Sequence, residues 1–235
     1  VLMAWQGGME GGLATADILC GDVNPSGKLS DTYAKDLEDY PSTANFHESA
    51  FYVDYTEDIY VGYRYFDTFN VTPAYEFGYG MSYTDFAMYV TDVQADADNV
   101  TVTVRVTNTG DTYSGKEVVE VYFSAPDGTL EKPYQELAAF GKTDELAPGE
   151  SQTLTLSYNT TEMSSYSMDQ AAYIMEAGDY VVRVGNSSRN TAVAAVVSLD
   201  ETCTTEQLSN QMVQDEDITV LSNEDATPYS YEGEV

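Results

Sequence analysis

The sequence predicts two parts in tandem: an α/β segment over residues 1–85 and an all-β, immunoglobulin-like sandwich over residues 86–199. Three observations carry that expectation. A short apolar run leads through a glycine-rich loop into a helical pattern, period-two alternation begins at Phe86, and turn signals recur between the alternating segments. With 235 residues, 43% of them hydrophobic and 12% aromatic, the chain has enough apolar material to bury a core.

The elements follow in order. VLMAW (1–5) reads as a strand, QGGMEGG as a tight loop and LATADILC as a helix. Leu13, Ala16, Ile18, Leu19 and Cys20 fall near helical spacing and make a buried face, and Gly21 stops the helix. One βα unit does not cover both faces of a parallel strand, so neighbouring strands are expected from chain outside this sequence. Val1 is not an initiator methionine, which fits a piece of a longer protein.

The turn-rich GDVNPSGKL (21–29) then leads into an aromatic stretch. Residues 40–89 hold ten of the 20 tyrosines and six of the eight phenylalanines. Such a stretch packs domains together, with each tyrosine hydroxyl finding a partner, or lines a sugar site; packing is the reading we expect. Strands are expected at Phe86–Val93, 99–108 (NVTVTVRVTN), Lys116–Ser124, Tyr134–Phe140, Ser151–Tyr158, Asp179–Gly185 and Thr191–Leu199, punctuated by NTG, APDG, APGE and EAGD. Seven strands at this spacing close naturally as a sandwich. Residues 200–235 carry ten acids, no lysine or arginine and little periodicity, so a linker or a peripheral wrap is expected there.

Charge and composition exclude several functions. Forty acids against nine bases give a formal net charge of −31, which repels polyanions, so neither nucleic acid nor an anionic membrane is expected as a partner. No apolar run is long enough to span a bilayer. Cys20 and Cys203 lie far apart and match no metal spacing. His47 is the single histidine, which leaves no Ser-His-Asp or Cys-His set and no histidine-rich metal site. No metal and no cofactor are expected.

Four blocks in sequence carry a family resemblance: AWQGGMEGGLATADIL (4–19), GDVNPSGKL (21–29), GYRYFD (62–67) and FGYGMSYT (77–84). Together with KPYQELAAFGKTDELAPGESQTLTLSY and GDYVVRVGNSS they resemble the C-terminal part of glycoside hydrolase family 3, the β-glucosidase and β-xylosidase family, from Trp5 to about Ser188. The resemblance implies that residues 1–85 are the last part of an α/β sandwich domain and 86–199 a fibronectin type III-like domain. It implies a retaining β-glycosidase as the parent enzyme, working through a nucleophile and an acid/base. It places both carboxyls outside this sequence. The nucleophilic aspartate belongs to the family's barrel domain in a Ser-Asp-Trp kind of motif, whereas Ala4 precedes the only tryptophan here, Trp5. The acid/base glutamate belongs upstream of the Trp5 block. The 36 residues after the sandwich leave open a rearranged order with the barrel downstream.

No catalytic residue is therefore assigned. Neighbouring acids such as Glu57/Asp58, Asp144/Glu145 and Asp215–Asp217 are expected to be solvated, because retaining chemistry needs two carboxyls about 5 Å apart, one of them raised in pKa by burial. Two residues keep a substrate-contact alternative. Glu10, near the helix start, caps the helix, bonds another domain or bonds a sugar, and Arg64, flanked by Tyr63 and Tyr65, either pairs with a carboxylate and stacks on an aromatic or touches substrate. Gly7, Gly8, Gly11 and Gly12 fit no phosphate-loop frame. Asn70, Asn99, Asn159 and Asn186 begin N-x-S/T sequons, used only on a eukaryotic secretory route. The expected function is a non-catalytic segment that completes and braces a β-glucosidase-like enzyme, meeting carbohydrate only through its parent. Its partners would be the missing barrel and α/β portions of that enzyme. The alternative is a stand-alone carbohydrate-binding or adhesion module.

Overall fold

A computed structural model describes residues 2–211, 217–224 and 226–228. Helix α1 spans Gly11–Cys20 and stops where Gly21 takes the left-handed conformation at φ 83°, as the pattern predicts. Its expected buried face is uncovered: no residue of the helix is buried, and Leu13 and Leu19 are 67% and 69% exposed. The cause is the absence of a layer on that face within the described chain. Residues 2–5, expected as part of a strand, are irregular and join no sheet among the described residues.

All seven expected strands form, as β1 (Phe86–Ala95), β2 (Asn99–Asn108), β3 (Val118–Ser124), β4 (Glu136–Lys142), β5 (Ser151–Asn159), β8 (Gly178–Ser187) and β9 (Asn190–Leu199). They make a three-stranded sheet, β1-β2-β5, packed on a four-stranded sheet, β4-β3-β8-β9. The alternation in β2 does what it predicts: Val100, Val102, Val104 and Val106 are fully buried, and the residues between them are not. Opposite them lie Val119, Val121 and Phe123 of β3 and Tyr180, Val182 and Val184 of β8. Three short strands were not legible: β6 (Ser165–Ser167), β7 (Ala172–Met175) and β10 (Cys203–Gln207) form a third sheet, ordered β10-β7-β6. Residues 200–235 thus open on a strand that pairs antiparallel with β7.

Strand β3 is buried on both faces, which no alternation rule anticipates for a sandwich of this kind. Its outer residues, Glu120 and Tyr122, lie beneath the aromatic connector, whose short helix α2 spans Tyr63–Thr68. Within the connector two glycine motifs meet backbone to backbone, and the Ser188 N–H donating to Phe77 O at 2.9 Å ties them to the sandwich. Leu29 N–H donates to Tyr79 O and Gly78 N–H to Leu29 O, both at 2.8 Å. A Cβ on Gly80 would stand 2.3 Å from Gly27 O, and one on Gly78, at φ 82°, would stand 2.6 Å from the Glu120 carboxylate. These contacts give PSGKL and FGYG their physical reason.

Burial raises the Glu120 carboxyl to about 6, against the opposing effect of the Tyr122 hydroxyl, which donates to it at 2.5 Å, and of Lys28; Glu117 and Glu76 add to the rise. Because the folded-state value lies above the ordinary 4.5, the ionised side chain opposes folding at neutral pH, and that cost fades as pH falls through 6 towards 4.5. The residue is 4% exposed, so the cost at pH 7.5 is roughly 2 kcal/mol. Glu120→Gln keeps the shape and an acceptor for Tyr122. Thermal unfolding should find this variant more stable than the parent by about 1–2 kcal/mol at pH 7.5 and equal to it near pH 4.5. A difference that stays constant across that range would refute the assignment.

Candidate functional site

The residues singled out by the sequence sit on two different elements. Glu10 occupies the position before α1, where its carbonyl accepts the Ala14 N–H at 3.0 Å while its side chain makes no capping bond. Arg64 lies on α2 and pairs with Glu136 of β4, its Nη1 3.4 Å from Oε2. Both partners are about one-third exposed, so the pair is a positioning contact of modest strength. No hydrogen bond or ion pair joins Glu10 to Arg64 among the described residues.

Arg64 also helps line a shallow cleft of about 220 Å³ between residues 30–32 and 61–64, floored by Tyr63 and Phe77. Asp31 is the one carboxylate in its lining, and its Oδ1 accepts the Thr32 N–H at 2.8 Å. The Thr32 hydroxyl oxygen in the same wall is sealed from solvent without a partner. The cleft's lining thus includes one arginine, one carboxylate and two aromatic residues, without the paired carboxyls that glycosyl transfer to an enzyme nucleophile requires.

The stronger chemistry is in the joint below. Asp67 is 1% exposed and accepts from Arg189 Nε at 2.5 Å and from Gln135 Nε2 at 3.0 Å. Arg189 Nη2 donates to the carbonyls of Phe66 and Val71, both at 2.9 Å. Gln135 Nε2 also donates to Ser188 O at 2.6 Å. Thr68 Oγ1 accepts the Tyr134 N–H at 2.9 Å, and the Tyr63 hydroxyl accepts the Leu137 N–H at 2.8 Å. The GYRYFD helix therefore supplies the acceptors that the β4 strand and its approach need when they are covered. On the other side of the joint Lys28 pairs with Glu117 at 2.9 Å, Asn186 Nδ2 donates to Glu117 Oε2 at 3.1 Å, and Ser187 Oγ donates to Glu76 Oε1 at 3.1 Å. Sequence reading missed Asp67, Glu120, Gln135 and Arg189. The one available signal was Asp67, a lone acid inside an aromatic run; Arg189 has no local signal.

The aromatic stretch packs largely on itself and on the sandwich. Tyr63 meets Phe77 and Tyr122, Tyr60 meets Phe69, and Tyr40 meets Phe66, at centroid distances of 5.1 to 5.8 Å. His47 packs against Phe46 at 4.4 Å and has φ 60°. Asp144 accepts from Gln152 Nε2 at 3.2 Å, and the run of acids at 215–217 falls partly outside the described residues, which include only Asp217. Cys20 and Cys203 are exposed free thiols. Among the described residues no three of His, Cys, Asp and Glu converge as a metal-holding group.

Comparison with known proteins places this architecture. The model of the glycosyl hydrolase family 3 C-terminal domain matches residues 1–83, and that of the fibronectin type III-like domain matches residues 117–188. β-Glucosidase A of Butyrivibrio fibrisolvens is 48% identical over 238 residues, covering 91% of this chain and 28% of the relative. A β-glucosidase of Ruminococcus albus is 43% identical over 218 residues, covering 90% and 23%. Among solved structures, a β-glucosidase from Paenibacillus barengoltzii superposes with a TM-score of 0.84 at 51% identity, covering 88% of this chain and 24% of that one. The chain spans about a quarter of the length of these relatives. It belongs to glycoside hydrolase family 3, carrying sequence of the family's C-terminal α/β domain followed by its fibronectin type III-like β-sandwich.

Proposed function

We propose that this chain is the non-catalytic, bracing part of a retaining β-glycosidase of the β-glucosidase type, acting on terminal β-linked sugars through its parent enzyme. Residues 1–85 would complete the α/β domain, 86–199 would be the fibronectin type III-like brace, and 200–235 a linker or wrap. The missing barrel and α/β portions would be the partners. Glu10 and Arg64 would then serve as joint residues and not as substrate contacts.

The observation that carries this reading is the contrast within residues 2–85 between residues fastened to the sandwich and large apolar residues left exposed. The segment is fastened to the sandwich by the Arg189–Asp67 and Lys28–Glu117 pairs and by the close approach of Gly78 to Glu120. The same segment leaves large apolar side chains uncovered: Trp5, Met9, Leu13 and Leu19 in and before α1, and Phe51, at 97% exposure, with Tyr52 and Tyr55 in the connector. Monomeric domains seldom leave such a surface open, and a βα unit needs neighbouring layers. Relatives four times as long supply the chain to cover it.

Two outcomes test the proposal. The purified chain should not cleave aryl β-glucosides above blank, because a retaining mechanism takes a nucleophile and an acid/base and each contributes orders of magnitude in rate. Turnover that co-purifies and is abolished by replacing one of the chain's own acids would overturn it. Second, Leu13→Asp with Leu19→Asp should change the isolated chain's unfolding free energy by less than about 0.5 kcal/mol, since neither residue is buried. The same changes should abolish co-elution with the barrel-bearing remainder of a relative's β-glucosidase. Unimpaired co-elution would remove the α1 face from the interface.

A further inference from the structure

The acidic C-terminal stretch contains a window without charge. Ile218 to Asn223 reads ITVLSN, flanked by Asp217 and Glu224, inside a 36-residue tail that carries ten acids and no base. Beyond β10 and the residues that follow it, this window is where the described part of the tail meets the body again. Leu221 N–H donates to Thr56 O at 2.8 Å. Ser222 Oγ donates to Glu131 Oε1, Asn223 N–H donates to Glu131 Oε2 at 3.2 Å, and Asn223 Nδ2 donates to Lys132 O at 3.1 Å. The turn holds its own shape through Glu224 N–H to Ser222 Oγ and Ala226 N–H to Asn223 O.

Glu131 meets a third segment as well. Its Oε2 accepts the hydroxyl of Tyr60 at 2.7 Å, and Tyr60 is fully buried in the connector. One carboxylate on the β3–β4 loop thus holds the tail and the connector together, while Thr56 and Leu221 join the same two segments directly. We propose that residues 217–224 are a strap that holds the Asp54–Tyr60 stretch against the β3–β4 loop, with Glu131 as its clasp. The occupant of this surface is the chain's own tail, and the proposal rests on these contacts independently of the parent enzyme's activity.

The chemistry of the clasp sets its response to salt. The tail contributes neutral donors only, and the neighbouring Lys132 ammonium is engaged by Glu176. An ion-pair latch loosens as salt rises. A neutral strap borne on an acidic tail over a body of the same sign tightens, because screening removes repulsion and leaves the hydrogen bonds. Thr56, which the strap holds, follows directly on the exposed aromatics Phe51, Tyr52 and Tyr55.

Hydrogen exchange of the full chain followed by mass spectrometry tests this, comparing the parent with Glu131→Gln and with Ser222→Ala/Asn223→Ala. The last two positions lie on the surface and leave the core intact if Glu131→Gln should fail to fold. Both variants should speed exchange in 217–224 and also in 54–60, by roughly three- to tenfold for each bond lost, with β2 and β8 unchanged. In the parent, exchange in 217–224 should slow between low and moderate salt. Full exchange of 217–224 in the parent, release of the tail without any change in 54–60, or loosening by salt would each overturn the strap.

Discussion

Arg189 sits in the turn between β8 and β9, and its guanidinium reaches across to a helix 122 residues earlier in the chain. There it meets the Asp67 carboxylate and the carbonyls of Phe66 and Val71. This contact is what makes a six-residue helix possible, since a helix that short is not stable on its own. With α2 fixed, Tyr63 and Thr68 are placed to satisfy the N–H groups of Leu137 and Tyr134, and Tyr63 is laid on Tyr122. Removing one member would leave a buried charge without its partner, which costs several kcal/mol, so the joint works as a unit or not at all.

The same economy governs the distribution of charge. The chain has nine bases, and Lys28, Arg64, Lys132 and Arg189 are among those that form ion pairs. Three of these pairs fasten segments before residue 90 to the sandwich, and Lys132 with Glu176 fixes the β3–β4 loop that carries Glu131. Scarce cations are used where separate segments meet. Most other acids lie at the surface, Glu120 being the buried exception, and the sandwich is held by its valine core.

How much of this was legible follows from the range of each interaction. The valine ladder of β2 and the helix stop at Gly21 are local patterns and read directly. The short strands β6, β7 and β10 span three to five residues, too few for alternation to register, and their pairing is set by tertiary contact. The buried face assigned to α1 is not formed: the apolar spacing is there, but no described element packs on it and Leu13 and Leu19 stand exposed. Arg189 and Asp67 were out of reach, because nothing in NSSRN announces a partner in GYRYFD. The motif glycines were visible as letters, and only the close approach of Gly78 to Glu120 and of Gly80 to Gly27 shows what they permit.

Glu120 separates a perturbed acid from a catalytic one. A carboxyl raised to about 6 falls in the range an enzyme uses for general acid chemistry, and such groups are often read as markers of active sites. Here the geometry forbids that use. The Gly78 backbone lies against the Glu120 carboxylate so closely that a single methyl group would not fit, the Tyr122 hydroxyl occupies Oε2, and the side chain is almost wholly buried. No glycosidic oxygen reaches it. The raised value is the cost of pressing the connector onto β3, and a shifted pKa becomes evidence of catalysis only where an open cleft lets a substrate share the proton.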